Sequence, residues 1–291
     1  MSNTKFQFEK LAVVGVGLIG GSIAAAVRSR QLARTVIGCG RNRDRLLAAQ
    51  AQGLLTAVTT SPEEIADADL IIVCTPVDRL AVDLCMLLEQ TSASTLITDV
   101  GSVKGSIVQQ VRTNSSHASR FIPAHPIAGS HLQGFEHADP DLCQNRLCIL
   151  SPLAENLPAD VQTVRTFWQS IGMRVTELAV EEHDRILALT SHLPHLAASI
   201  TAAMVHESWL QYAATGYRDT TRVAAGDPEL WTAIFTENTD QLAAATDQFI
   251  NLLTSFRNSL KAGQKAEIQA LLKLGQTRRS HFCDPDLRPK E

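Results

Sequence analysis

Several features are scarce in this 291-residue sequence, and each scarcity excludes something. The six cysteines, Cys39, Cys74, Cys85, Cys143, Cys148 and Cys283, contain no CxxC pair and form no dense framework. Most lie in apolar segments, where a free thiol behaves as a small hydrophobe, so a disulfide scaffold is not expected. Neither sign of charge dominates. With 26 basic and 30 acidic residues and a net charge of −4, the chain lacks the electrostatic footprint of a nucleic-acid-binding protein. No apolar run approaches the ~20 residues of a membrane helix. Residues 1–10 are polar and mixed in charge, without the apolar stretch of a secretion signal. Repeats and low-complexity tracts are missing too. Apolar residues, by contrast, make up 45% of the chain and charged residues 19%, enough to bury cores and too apolar for disorder. The expectation is a soluble, cytoplasmic enzyme of two modest domains.

The first half alternates short apolar runs with helical patterns. Residues 11–14, 36–38, 70–74, 95–98 and 120–123 read as strands, with helical spacing at 22–30, 43–52, 79–89 and 106–113. Strands apolar throughout are buried on both faces, as in a parallel sheet covered by helices, and the alternation implies a doubly wound α/β fold. Strands at 147–150 and 174–177, flanking a helix near 159–171, should extend the sheet. After Ala179 no strand signal follows. Ile186, Leu189, Leu193, Leu196, Ile200 and Met204 recur at intervals of three and four, as do Leu242, Ala245, Phe249, Leu252, Phe256 and Leu260. Ile268, Leu271 and Leu272 begin a further helix. Pro194 should kink the first of these helices or remove a backbone bond. The division expected is a dinucleotide-binding domain at 1–178, an all-α domain at 179–282 and a loose tail at 283–291. Long amphipathic helices need a partner surface, most simply a two-fold copy of the chain.

Gly15-Val16-Gly17-Leu18-Ile19-Gly20 follows the first strand and opens a helix. Gly15 and Gly17 permit a tight turn and close approach of a pyrophosphate, and Gly20 lets the helix pack on the strand. A purely structural turn would look similar in isolation, but here a second βαβ series stands behind it. The pattern identifies a Rossmann dinucleotide fold. At the end of the second strand, where an acid would hold an NAD ribose, the chain reads Gly38-Cys39-Gly40-Arg41-Asn42-Arg43. Gly40 leaves room, and Arg41 or Arg43 could pair with a 2′-phosphate, so NADP is preferred with NAD as the alternative. A solvated helix start would explain the same arginines. Thr75 and Pro76, ending a later strand, would line the cofactor crevice.

Two loops leave the same sheet edge. One carries Asp99-Val100-Gly101-Ser102-Val103-Lys104, and the other His125-Pro126-Ile127-Ala128-Gly129-Ser130. A histidine there can take a proton as hydride leaves, and a serine hydroxyl can orient it or bond the substrate oxygen. A loop histidine that is merely solvated or bonded within a turn would look the same in sequence. In the helical half, Ser191-His192-Leu193-Pro194-His195 sets two histidines three apart on one face. No carboxylate or thiol stands at a suitable spacing to complete a metal site, so no metal is expected and the pair reads as polar groups facing the crevice. Arg218 and Arg222 lie in the polar segment 216–224. Either could clamp an anionic substrate, or pair at the surface with Asp219 or Glu229.

GVGLIGGS at 15–22, DVGSVK at 99–104, HPIAGS at 125–130, HDRILALTSHLPH at 183–195 and GYRDTTRVAAGDPELW at 216–231 run in order along the chain. Together they resemble the prephenate/arogenate dehydrogenase family of tyrosine biosynthesis, over about residues 11–280. The resemblance implies a Rossmann domain, a helical dimerisation domain and an active site between them, where prephenate or arogenate loses hydride and CO₂. It also implies that His125 bonds the ring hydroxyl and accepts its proton, with Ser102 beside it. Arg222 would bind the substrate carboxylate, while Ser191, His192 and His195 line the pocket. Family members often carry an acid shortly after the HPxAG motif. Here the run is Ser130-His131-Leu132-Gln133, and a neutral Gln133 offers no carboxylate to arogenate's ammonium, which favours prephenate. A β-hydroxyacid or imine reductase would share this layout but usually relies on a helical-domain lysine, and Lys261, Lys265 and Lys273 all lie late. A non-catalytic NADP sensor would leave His125, Ser102 and Arg222 unexplained.

Overall fold

The computed structural model describes residues 8–129 and 132–282. Its first half contains strands β1 (Phe8–Val14), β2 (Ala33–Cys39), β3 (Ala57–Thr59), β4 (Leu70–Val73), β5 (Leu96–Asp99) and β6 (Phe121–Ile122). They form one parallel sheet in the order β3-β2-β1-β4-β5-β6. Between them run helices α1 (Leu18–Ser29), α2 (Arg43–Ala51), α3 (Val77–Gln90) and α4 (Gly105–Asn114), and α5 (Pro158–Ser170) follows later. Leu11 and Val13 pack with Ile23 and Val27 of α1 and with Phe167 and Trp168 of α5. Ala12 and Val14 pack on the other side with Leu80 and Leu84 of α3 and Ile107 and Val111 of α4. Burial on both faces is why these strands read as unbroken apolar runs. Strand order reverses between β1 and β4, the point where open sheets of this kind bind ligands.

Two expectations about strands need correcting. Leu147–Leu150 (β8) and Arg174–Glu177 (β9) do not extend the main sheet. They form a separate three-stranded sheet with β7 (Ala124–Pro126), antiparallel between β7 and β8 and parallel between β8 and β9. The cause is local. Pro123 has no N–H to donate, and the Ala124 N–H is taken by the Asp99 side chain at 2.9 Å, so the strand expected at 120–123 breaks after Ile122 and turns away. The short β3 gives no apolar signal in the sequence, since three residues are too few to show alternation.

The helical half comprises α6 (Val180–Leu187), a π turn at Ala188–His192, α7 (Leu193–Ala203), α8 (Thr215–Thr221), α9 (Pro228–Glu237), α10 (Thr239–Lys261) and α11 (Lys265–Ser280). Pro194 sits in the first turn of α7, and the disturbance expected from it appears as the π turn just before. The segment at 216–224, read as merely polar, is helical through α8 and a 3₁₀ turn at Arg222–Ala225. Contrary to the expectation of no long apolar run, Val180–Ala203 is a continuous helical stretch long and apolar enough to cross a membrane, with mean hydropathy 1.2. Its inward face nevertheless carries buried His183, Asp184, His192 and His195, all engaged in hydrogen bonds or ring stacking, so that polar face packs inside the protein. Leu189, Ile200 and Met204 of its apolar stripe point outward and are exposed. Helix α9 packs on α3 and α4, and α6 on α4, which seats the helical half against one face of the sheet domain. The tail at 283–291 lies outside the described residues.

Candidate active site

The glycine turn after β1 has the shape of an anion cradle. Gly15 has φ +90°, and a Cβ there would lie 2.8 Å from the Cys74 carbonyl carbon. A Cβ on Gly20 would come 2.2 Å from the Gly15 carbonyl oxygen, so only glycine lets α1 begin this close to β1. Gly17 instead faces open space. No side chain caps α1, and its first turn, starting at Leu18 and Ile19, holds no acid. The free N–H groups and the positive end of the helix therefore point into that space. Across the switch point, the Thr75 hydroxyl is buried with no partner among the described residues, as expected of a group awaiting a ligand. Pro76 beside it is exposed at the start of α3. At the end of β2, Gly40 has only Leu46 near a virtual Cβ, at 3.8 Å. Asn42 caps α2 through the Arg45 N–H. Arg41 and Arg43 are exposed and make no ion pair among the described residues.

Next to this edge lies a chain of hydrogen-bonded groups assembled from both halves. His125, half-buried on β7, has its Nδ1 2.9 Å from Nε2 of His183 on α6. His183 is fully buried, and its Nδ1 is 2.7 Å from Oδ1 of Asp184. The same carboxylate accepts the Lys104 N–H at 2.9 Å and the Gly105 N–H at 2.7 Å, at the start of α4. Gly105 is required there, because a Cβ would meet Asp184 Oδ2 at 2.7 Å. Beneath this, Lys104 and Asp99 form a fully buried ion pair, and Asp99 also accepts the N–H groups of Gly101 and Ala124. Asn238, between α9 and α10, bridges the Asp184 carbonyl at 3.0 Å and His192 Nδ1 at 3.1 Å.

The remaining predicted residues are distributed unevenly. His195 stacks on Trp231 with ring centroids 3.6 Å apart, and its buried Nε2 makes no hydrogen bond among the described residues. Ser191 is half-buried in the π turn. Gln133 donates to the Asp227 carboxylate at 3.1 Å, joining the loop after β7 to the start of α9. Arg218 pairs with Asp219 at 3.0 Å, which is the surface pairing considered for it. Arg222 is exposed, without an ion pair among the described residues, on a turn packed against α7. Ser130 lies outside the described residues. Ser102 is half-buried and makes no hydrogen bond to His125 among the described residues; of the two roles open to it, orienting the imidazole or bonding a substrate oxygen, the first has no contact behind it, and the ring that does meet His125 is His183. His183, Asp184, Lys104, Asp99 and Asn238 were not singled out from sequence. A signal for one of them was present: Asp184 shares a helical face with His192 and His195, opposite the apolar stripe.

Electrostatics keep this cluster neutral where it matters. Burial, with His183, Lys104 and His192 adding to it, holds the His125 imidazole well below its ordinary 6.5. Burial likewise lowers His183, against the opposing pull of Asp184. His192 is pushed down to about 4, mainly by burial. Burial alone would raise the Asp184 carboxyl, but the His183 contact and two backbone N–H donors more than offset it and leave it lowered. A neutral imidazole beside an anion cradle can accept a proton from a hydroxyl oxidised there.

Residues 23–177 match the family described as prephenate dehydrogenase, nucleotide-binding domain, and residues 179–274 its dimerization domain. The chain is 32% identical over 294 residues to the cyclohexadienyl dehydrogenase of Zymomonas mobilis, across 97% of this chain and 99% of that protein. It is 30% identical to the prephenate dehydrogenase of Bacillus subtilis, across 86% of this chain and 69% of that one. The crystal structure of Aquifex aeolicus prephenate dehydrogenase with hydroxyphenyl propionate and NAD⁺ superposes with TM-score 0.86 at 27% identity, covering 94% of this chain and 97% of that one. Synechocystis arogenate dehydrogenase gives 0.83 at 28%, covering 94% and 100%. These likenesses extend through both the sheet domain and the helices that close over it, and the chain belongs to the prephenate dehydrogenase family.

Proposed function

We propose that this enzyme oxidises prephenate to 4-hydroxyphenylpyruvate and CO₂, working as a homodimer. The observation that carries the reading is His125, held by a buried hydrogen-bonded chain, at the same C-terminal edge of the sheet as the uncapped glycine cradle. A nicotinamide dinucleotide held by Gly15, Gly17, Leu18, Ile19, Gly20, Thr75 and Pro76 supplies the hydride acceptor when bound. His125 accepts the ring hydroxyl proton as the carbon bearing that hydroxyl gives up hydride. Loss of the ring carboxylate as CO₂ then leaves a phenolate, to which His125 returns the proton, so no proton is released overall. Arg222, free of any ion pair among the described residues, offers its guanidinium to a substrate carboxylate. Ser102, Ser191, His192, His195, Ser130 and Gln133 complete the pocket. Alignment and electrostatic support suffice for a step that ends in an aromatic ring.

Arg41 and Arg43, exposed and without an ion pair among the described residues, and the lack of an acid at the end of β2 support NADP over NAD. Gln133, neutral and already bonded to Asp227, supports prephenate over arogenate. Steady-state kinetics with both substrates and both cofactors, followed at the reduced-nicotinamide absorbance, test all of this. The expected result is the highest kcat/KM with prephenate and NADP. A preference for NAD removes the role of Arg41, a preference for arogenate removes that of Gln133, and no reduction with either substrate sinks the reading.

A further inference from the structure

We infer that His183 and Asp184 are positioning residues that hold His125 in a single tautomer, with its proton on Nδ1 and its lone pair on Nε2. This rests on the reading of His125 as the base, and it follows from counting donors and acceptors. The Asp184 carboxylate accepts two backbone N–H groups, one at each oxygen, and with the His183 contact these hold it ionised despite its burial, so it has nothing to donate. His183 Nδ1, 2.7 Å from Oδ1, must therefore carry a proton. A neutral His183 then has only a lone pair at Nε2. His125 Nδ1, 2.9 Å from that lone pair, must be the donor, which leaves His125 Nε2 bare.

The competing arrangement makes His183 an imidazolium. It would donate from both nitrogens, and His125 would be reversed, with its proton on Nε2 and no lone pair to offer there. The groups around the pair disfavour that charge. Lys104 brings a buried cation from the start of α4, compensated by Asp99 of β5. His192 of the π turn accepts from Asn238 at Nδ1 and adds no negative charge. Among the described residues, Asp184 is the one anion in direct contact with the His183 ring, and that ring is fully buried. Asp184 belongs to the helical half, whereas the N–H groups it accepts open α4 in the nucleotide-binding half. The tautomer of the base is thus tied to docking of the two halves.

Nitrogen-15 NMR of the histidines in the intact protein at neutral pH reads the tautomer directly. His125 should appear as the Nδ1–H form, and an Nε2–H form or an imidazolium at His183 overturns the inference whatever the enzyme turns over. In His183→Ala, the Nδ1–H signal of His125 should be lost and kcat should fall by ~10²-fold or more, as when a general base is misaligned. KM should stay within about threefold, and the acid limb of kcat/KM should move up towards the ordinary imidazole value. An unchanged kcat and pH profile in a folded His183→Ala variant also overturns it. If that variant does not fold, the spectrum of the unmodified protein decides. Failure of the unmodified enzyme to oxidise prephenate would remove the proposed reaction and leave the tautomer measurement standing.

Discussion

Four histidines, His125, His183, His192 and His195, share one property: burial lowers each below its ordinary 6.5. In the folded protein they stay neutral at pH values where the unfolded chain has already bound protons. Stability therefore rises with pH across that window and is lost as pH falls below 6.5. Melting temperature should drop steadily between pH 7 and pH 5, before the carboxylates titrate, and replacing His192 by Gln should flatten part of that slope. A melting temperature constant from pH 7 to pH 5 would mean that these rings are solvated. The residue types at the site were legible from sequence, since His125, His192 and His195 stand in quotable motifs. What orients them was not, because only Ser102 suggested itself as a neighbour of His125, and nothing in the order of residues marks His183, 58 positions away, as the ring that meets it.

At the scale of elements, β5, β7 and α4 meet over the Lys104–Asp99 pair, both side chains fully buried. Asp99 ties together the Gly101 turn and the Ala124 N–H that leaves the main ladder. Lys104→Met should cost on the order of 3–5 kcal/mol, because it strands a buried carboxylate without its counter-charge. Urea unfolding measures this, and a loss below about 1 kcal/mol would show that water reaches Asp99. Replacing both partners, Lys104→Met with Asp99→Leu, should not recover the full loss, since two backbone N–H donors would then lack an acceptor. The strands of the main sheet were readable as apolar runs. The break at Pro123 was readable only in part: proline marked the site, but its effect on β8 and β9 depends on where the Ala124 N–H finds an acceptor.

On the scale of the whole molecule, the helical half looks inverted when one chain is taken alone. The stretch Val180–Ala203 turns imidazoles and a carboxylate inward and leaves Leu189 and Ile200 in solvent. Leu252, Leu253 and Leu260 of α10, and Leu272 and Leu274 of α11, are exposed as well. Apolar faces of this extent mark an interface. Light scattering should report a dimer for the unmodified protein and a monomer for Ile200→Glu combined with Leu253→Glu. A monomer from the unmodified protein would leave those faces unexplained.

The sequence by itself determined the alternation of strands and helices, the glycine cradle and the change of texture near Ala179, because each depends on residues close together in the chain. Only the tertiary structure decided that β7, β8 and β9 form their own sheet, that Asp184 reaches across to the start of α4, and that His183 stands between it and His125. The strand pairs join residues 22 to 27 positions apart and the Asp184 and His125 contacts residues 58 to 80 apart, and periodicity carries no information about which groups meet at such separations.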